Sequence, residues 1–238
     1  MRGIDIVSMS ACGKPNIFIL VSTLNLRVQG QEHHRHSGVF FMLSIENRKT
    51  IRLEKRRARR ALSTKQQKRA AISLTHQLRK APYFHRAKRI AVYLANDGEI
   101  DLKPLIKLCW QLGKSVYLPV LHPVRHNRLW FTRYQTDTPM NQNRYKIWEP
   151  KLKRSHTPAW AVDLVLMPLV AFDQQGGRMG MGGGYYDRTF EFTQKKGFMH
   201  GPKLIGVAHE IQKVEQLPIQ PWDIPMHGIA TDKQRYIA

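Results

Sequence analysis

Between Gly176 and Arg188 the chain reads GGRMGMGGGYYDR, and six of those thirteen residues are glycine. Glycine loses more backbone freedom on folding than any other residue, so such a run requires positive backbone angles or the close approach of a ligand. Flexible linkers combine glycine with serine, whereas Arg178, Tyr185, Tyr186, Asp187 and Arg188 crowd this stretch. The composition predicts an anion-binding loop. Bare backbone N–H groups point at phosphate oxygens, and Arg178 adds a fixed fork of donors. The spacing G-x-x-x-x-G-K-[ST] is absent, and Gly180-Met181-Gly182 lacks the acid that a dinucleotide fold sets on the next strand. Asp187 and, further on, Asp223 supply carboxylates. Together with the surplus of arginine they suggest a nucleoside triphosphate carried with Mg2+.

The elements that must hold this loop follow from periodicity. Asp163 to Phe172, DLVLMPLVAF, reads as a buried strand that ends directly before the loop, and Tyr185 to Lys196 as the helix after it. Upstream, Arg89 to Ala95 reads as a strand and Asn96-Asp97-Gly98 as a turn. Asp101 then caps a helix from Leu102 to Leu112, Gly113 ends it, and Ser115 to Leu121 forms the next strand. This β-α-β unit predicts an α/β protein: a single three-layer domain with a mostly parallel, Rossmann-like central sheet and a basic N-terminal helical region. Ligands in such sheets sit beyond the carboxyl ends of the strands, where Glu99 falls, and a surface acid at a helix start explains Glu99 equally well.

Leu129 to Tyr134 reads as a third strand, and Pro139 to Pro158 as a long surface excursion. Trp148 in that excursion either stacks on a flat ring, and so counts as a substrate-binding candidate, or fastens the loop to the body. Lys203 to His209 reads as a strand, Glu210 to Leu217 as a short helix and His227 to Thr231 as a last strand. His209 is expected to be structural.

Residues 1–43 show no clear period and are expected to form a disordered or non-native extension, with residues 44–238 as the catalytic domain. His33, His34 and His36 are expected to be solvated. Ile45 to Arg60 reads as a helix, and Ser63 with Gln66 as the capping box of a second one whose inward stripe is Ala70, Ala71, Leu74 and Leu78. The run Arg56 to Arg60 reads as a solvated face. The formal charge of +22 attracts polyanions, and fifteen Lys or Arg against the single acid Glu54 fall between Arg48 and Lys88. A basic nucleic-acid-binding protein is therefore the alternative function, although Arg48 to Lys80 lacks the interleaved aromatics such proteins use. Only Cys12 and Cys109 occur, which fits a reducing, cytoplasmic setting and excludes a disulfide framework. The longest uninterrupted apolar run near the N-terminus, Ile17 to Val21, is too short for a membrane span.

From about Arg48 to Ala230 the chain resembles the 5-formyltetrahydrofolate cyclo-ligase family, also called 5,10-methenyltetrahydrofolate synthetases. The likeness rests on Arg178-Met-Gly-Met-Gly-Gly-Gly-Tyr-Tyr-Asp187, on Asp97-Gly-Glu-Ile-Asp101 and on the Pro-Leu-Val-Ala-Phe-Asp stretch. The resemblance implies an ATP- and Mg2+-dependent cyclo-ligase. It phosphorylates the formyl oxygen of 5-formyltetrahydrofolate, closes the ring to 5,10-methenyltetrahydrofolate and releases ADP and phosphate. It implies ATP contacts from Arg48, Arg52, Arg178, Gly180, Gly182, Gly183, Gly184, Tyr185 and Tyr186. Folate contacts would come from Leu94, Glu99 and Met181 to Tyr185, and magnesium ligation from Asp187 and Asp223. Arg178 and Tyr186 are the catalytic candidates. Some relatives carry a basic residue at the positions of Met181 and Gly183. A monomer that binds neither nucleic acid nor membrane is expected. A sugar-phosphate isomerase or transferase on a related sheet would turn over without ATP.

Overall fold

Near-continuous apolar runs such as Leu164–Pro168 dictate a sheet buried on both faces, and the computed structural model has one. It describes residues 35–151, 156–195, 201–218, 220 and 222–237, with side chains from residue 47 onward. The chain separates into two compact units, Met1–Val39 and Phe40–Ala238. Of the first, only the helical backbone of residues 35–39 is described, and His33 and His34 lie outside the described residues. The architecture that follows is that of the second unit.

Its N-terminal element is helix α1, Arg35–Arg60, which starts ahead of the expected Ile45. No proline lies between Arg35 and Ile45, and extending a helix costs far less than nucleating one. Helix α2, Thr64–Arg79, carries the expected capping box: Ser63 accepts from the Gln66 amide, and Gln66 reaches back to the Ser63 amide. Its Ala70, Ala71, Leu74 and Leu78 are buried. After α3, Pro82–Arg86, strand β1 runs Arg89–Ala91, α4 Lys103–Gln111, β2 Ser115–Leu121 and β3 Leu129–Tyr134. Asp101 accepts from the Lys103 amide at 2.9 Å, and Gly113 ends α4 with φ +67°.

The long excursion holds a hairpin of β4, Met140–Gln142, and β5, Trp148–Pro150. Strands β6, Leu164–Pro168, and β9, Lys203–Val207, pair in parallel, and β10, Ile229–Ala230, with β11, Arg235–Tyr236, close the chain. The described residues build a seven-stranded sheet in the order β11-β10-β9-β6-β1-β2-β3. Its five inner strands are mutually parallel, and β11 and β3 run antiparallel at the two edges.

Successive residues of a strand face opposite ways. Leu164 and Leu166 of β6 therefore pack with Leu74, Leu105 and Cys109 beneath α2 and α4. Val165 and Met167 pack on the other face with Phe131, Phe190 and Ile224. Helices on one side and α5 with the C-terminal segments on the other make the three layers.

Three expectations are corrected. The run DLVLMPLVAF is two strands: β6 stops at Pro168, and β7, Ala171–Phe172, turns away to form an antiparallel hairpin with β8, Arg178–Met179. Pro168 can donate no ladder bond itself; the Leu169 amide still donates to Val207 at 3.1 Å, and the Val170 amide then turns to the Met179 carbonyl at 2.7 Å. Gly176, with φ +88°, and Gly177 thus belong to the tip of that hairpin. A methyl on Gly177 would stand 2.3 Å from the Asp173 carboxylate. The helix after the loop is short, α5 being Tyr185–Phe190 followed by a 3-10 turn over Glu191–Gln194. Glu210 to Leu217 contains a 3-10 turn only over Glu210–Gln212, because Pro218 and the extended Lys213 stop its propagation.

Candidate functional site

A cleft of about 700 Å³ opens at the carboxyl ends of β1, β2 and β6, the place where parallel sheets bind ligands. The glycine loop forms one wall. Gly182 and Gly184 adopt φ of +93° and +67°, and Gly184 takes the cap position of α5. Left-handed backbone at both positions explains why no larger residue stands there. Since α5 spans less than two turns, its dipole is small, and positive charge must come from side chains.

Three arginines supply it. Arg48 and Arg52 lie one turn apart on α1, so both face the cleft. Arg48 donates to the Pro218 carbonyl and sits 3.4 Å from Asp223 Oδ2. Arg52 donates through Nε to the Gly180 carbonyl at 3.0 Å. Burial, and then the charge of Arg48, lower its pKa. Arg178, at the start of β8, donates to the Ile224 carbonyl at 3.0 Å and ion-pairs with Asp187. The arginines therefore pin the glycine loop to the C-terminal segment 218–224.

Asp187 and Asp223 both line the cleft. In each, a single oxygen takes all the contacts: Oδ1 of Asp187 accepts from Arg178 and Ile224, and Oδ2 of Asp223 from Arg48 and Gln220. The other oxygen of each accepts no hydrogen bond from a described residue. Among the described residues no three His, Cys, Asp or Glu side chains cluster as a closed metal cage. Two carboxylates with one open oxygen apiece fit Mg2+, which keeps waters and takes further ligands from substrate phosphates.

Opposite, Glu99 stands at the exit of β1 with Leu94. The turn Asn96–Glu99 places Asp97 and Gly98 at φ of +54° and +76° and closes with the Glu99 amide donating to the Asn96 carbonyl. Burial pushes the Glu99 carboxyl up to about 7, against the pull of Arg59. Tyr186 on α5 has its hydroxyl pKa raised by burial and then by the charge of Glu99, and the same two causes raise that of Tyr93.

The rim is aromatic. Tyr185 shares its hydroxyl with Tyr145 at 2.7 Å and with Arg144, both at the tip of the β4–β5 hairpin. Trp148 is 55% exposed beside the cleft, so it does not fasten the excursion. Its neighbour Glu149 does: buried, it accepts from the Leu121 amide at 3.2 Å and from Asn143 at 3.0 Å. His209 is buried and caps the turn Glu210–Gln212, away from the cleft lining.

Every site candidate from the sequence, from Arg48 and Leu94 through Met181 and Gly183 to Asp223, thus borders this one cleft. The sequence reading missed Arg59, Tyr93 and Tyr145. It also misjudged Arg56 to Arg60, which is not simply a solvated face. Arg56, Arg59 and Arg60 all ion-pair with Asp97, and Arg59 is wholly buried. Its signal was present: Arg48, Arg52, Arg56 and Arg59 recur at helical spacing.

A sequence model of the 5-formyltetrahydrofolate cyclo-ligase family matches residues 44–232. The chain belongs to that family. The 5-formyltetrahydrofolate cyclo-ligase of Haemophilus influenzae is 44% identical over 188 residues, covering 79% of this chain and 98% of the relative. The enzyme of the same name from Escherichia coli K12 is 42% identical over 177 residues, covering 74% and 95%. The solution structure of Aquifex aeolicus 5,10-methenyltetrahydrofolate synthetase superposes with a TM-score of 0.67 at 29% identity, covering 80% of this chain and 92% of that one. This cyclo-ligase is accordingly an enzyme. No described helix is long and apolar enough to cross a membrane.

Proposed function

We propose that the protein converts 5-formyltetrahydrofolate to 5,10-methenyltetrahydrofolate at the expense of ATP, releasing ADP and phosphate. The observation that carries this reading is the convergence on one cleft of the arginine and glycine set, Arg48, Arg52, Arg178 and Gly180 to Gly184, with Glu99 and its aromatic surroundings. The first set suits a triphosphate and the second a flat, hydrogen-bonding pterin.

The formyl oxygen is a weak nucleophile, so catalysis falls to alignment and charge neutralisation. Arg178, held by Ile224 and Asp187, faces the transferred phosphoryl group. Arg48 and Arg52 bind the remaining phosphates, and Gly180, Gly182, Gly183 and Gly184 let the backbone approach them. Asp187 and Asp223 would hold Mg2+, which would neutralise triphosphate charge there. Glu99 binds the pterin end of the folate beside Leu94 and Met181, Trp148 covers the ring, and Tyr185 and Tyr186 flank the junction of the two ligands. Once the formyl oxygen carries the phosphoryl group, N-10 attacks the formyl carbon, its proton is lost and phosphate departs. Alignment of this kind lowers barriers by about 7 to 11 kcal/mol in favourable cases. We place the protein in the cytoplasm, acting as a monomer.

The test is the ATP-dependent appearance of the methenyl absorbance, with ADP quantified in parallel. One ADP per methenyl product is expected. Turnover without ATP would overturn the phosphorylation step, and salt-sensitive RNA or DNA binding with no turnover would overturn the cyclo-ligase reading itself.

A further inference from the structure

Arg59 is the largest fully buried side chain of the protein's charged residues, and the ligand assignments above give it no role. Its guanidinium is fixed on three sides. Nε donates to the Asp97 carbonyl at 2.8 Å, Nη2 to Asp97 Oδ2 at 2.9 Å and Nη1 to the Leu169 carbonyl at 3.1 Å. Leu169 directly follows β6, so one side chain ties α1 to the central strand and to the turn after β1. The remaining direction faces Glu99, whose Oε1 lies 3.7 Å from Nη2.

We propose that Arg59 is a positioning residue: wholly buried in the wall of the cleft, it holds the Glu99 carboxylate charged and aimed at the folate. The proposal rests on the reading of Glu99 as a folate contact. Glu99 has little else to hold it, since among the described residues its Oε2 accepts only from the Asn96 amide at 3.1 Å. Of the other ionisable groups around it, Asp97 opposes its charge from the same turn, while Tyr93 after β1 and Tyr186 on α5 stay neutral. Arg59 is the cation that offsets burial there. His209, on its far side, has its own pKa lowered by burial and is not a second source of charge.

The test follows the Glu99 carboxyl by infrared titration, its band assigned by loss in Glu99→Gln, alongside KM for 5-formyltetrahydrofolate and for ATP across pH 5.5 to 9. Wild type is expected to titrate near the value of about 7. In Arg59→Gln the midpoint should rise by about 1 to 3 pH units, the range for loss of an opposite charge at this distance. KM for the folate rises with it at neutral pH, and KM for ATP stays within twofold. Arg59→Lys, which keeps the charge but cannot span the same acceptors, should shift the midpoint by less. A folded variant, Gln or Lys, that titrates as wild type overturns the proposal, as does an equal rise in both KM values. The infrared titration needs no turnover, so an inactive wild type would overturn the cyclo-ligase reading and leave the role of Arg59 still measured.

Discussion

Arg178 donates through Nη2 to Oδ1 of Asp187, and this pair joins the strand that enters the glycine loop to the helix that leaves it. Arg178→Ala removes the brace to Asp187 and, with it, the donor proposed to face the phosphoryl group. Loss of one such donor costs ~100- to 1,000-fold in turnover. We expect a fall of that size in kcat/KM for ATP, with little change in binding of 5-formyltetrahydrofolate measured without nucleotide. Equal loss of both would show that Arg178 only holds the fold.

The two acids make a separate prediction about metal. Asp187 and Asp223 are each paired with an arginine, Arg178 and Arg48, which offsets their charge, so the fold is expected to hold without Mg2+. Chelation should abolish turnover and leave the melting temperature unchanged within error. Asp223→Asn should raise the Mg2+ concentration needed for half-maximal rate several-fold. A chelator-induced drop in Tm would instead mean that the metal is structural.

Glycines in the same thirteen residues serve different ends. Gly177 has the Asp173 carboxylate in the way, and that carboxylate is fixed by the amides of Gln175, Gly177 and Leu217 at 3.0, 2.7 and 2.9 Å. Gly177→Ala should therefore cost about 1 to 3 kcal/mol by overpacking. A methyl on Gly180 meets nothing within 4 Å. Gly180→Ala should melt like wild type and yet raise KM for ATP, because only a bound phosphate would meet the added methyl. Thermal melts and ATP kinetics on the two variants separate the roles, and an unchanged KM in Gly180→Ala would remove the close-approach argument.

What could be read from the sequence follows from the range of the forces involved. The capping box at Ser63 and Gln66, the stripe on α2 and the parallel strands around α4 depend on neighbours a few residues apart, and they were legible. The break at Pro168 depends on where β7 finds its partner β8, which local pattern does not encode. Glu149 could not be told from a surface acid, since the backbone amide that holds it, that of Leu121, belongs to β2. The glycine loop was legible as a ligand-facing loop between a strand and a helix, and its Gly180 to Gly184 part lines the cleft. That Gly176 and Gly177 turn a hairpin was not, because the reason is the Asp173 side chain packed beneath.

Asp97 shows how a basic run becomes structure. Burial alone would raise its pKa, but hydrogen bonds from Arg56, Arg59 and Arg60 outweigh it and hold the carboxyl at about 2, against an ordinary 3.8. A carboxyl whose folded pKa is depressed stabilises the fold above its unfolded value and loses that contribution as pH falls through the folded one. The window is therefore from about pH 4 down to about pH 2, and the contribution at neutral pH is about 2 kcal/mol. Asp97→Asn should lower stability by about that amount at pH 7, with the gap to wild type closing as the pH approaches 2. Denaturant unfolding at stepped pH measures it. A gap that stayed constant from pH 7 to pH 2 would show that the asparagine disturbs the left-handed turn, and that the three arginines contribute no charge-dependent stability through Asp97.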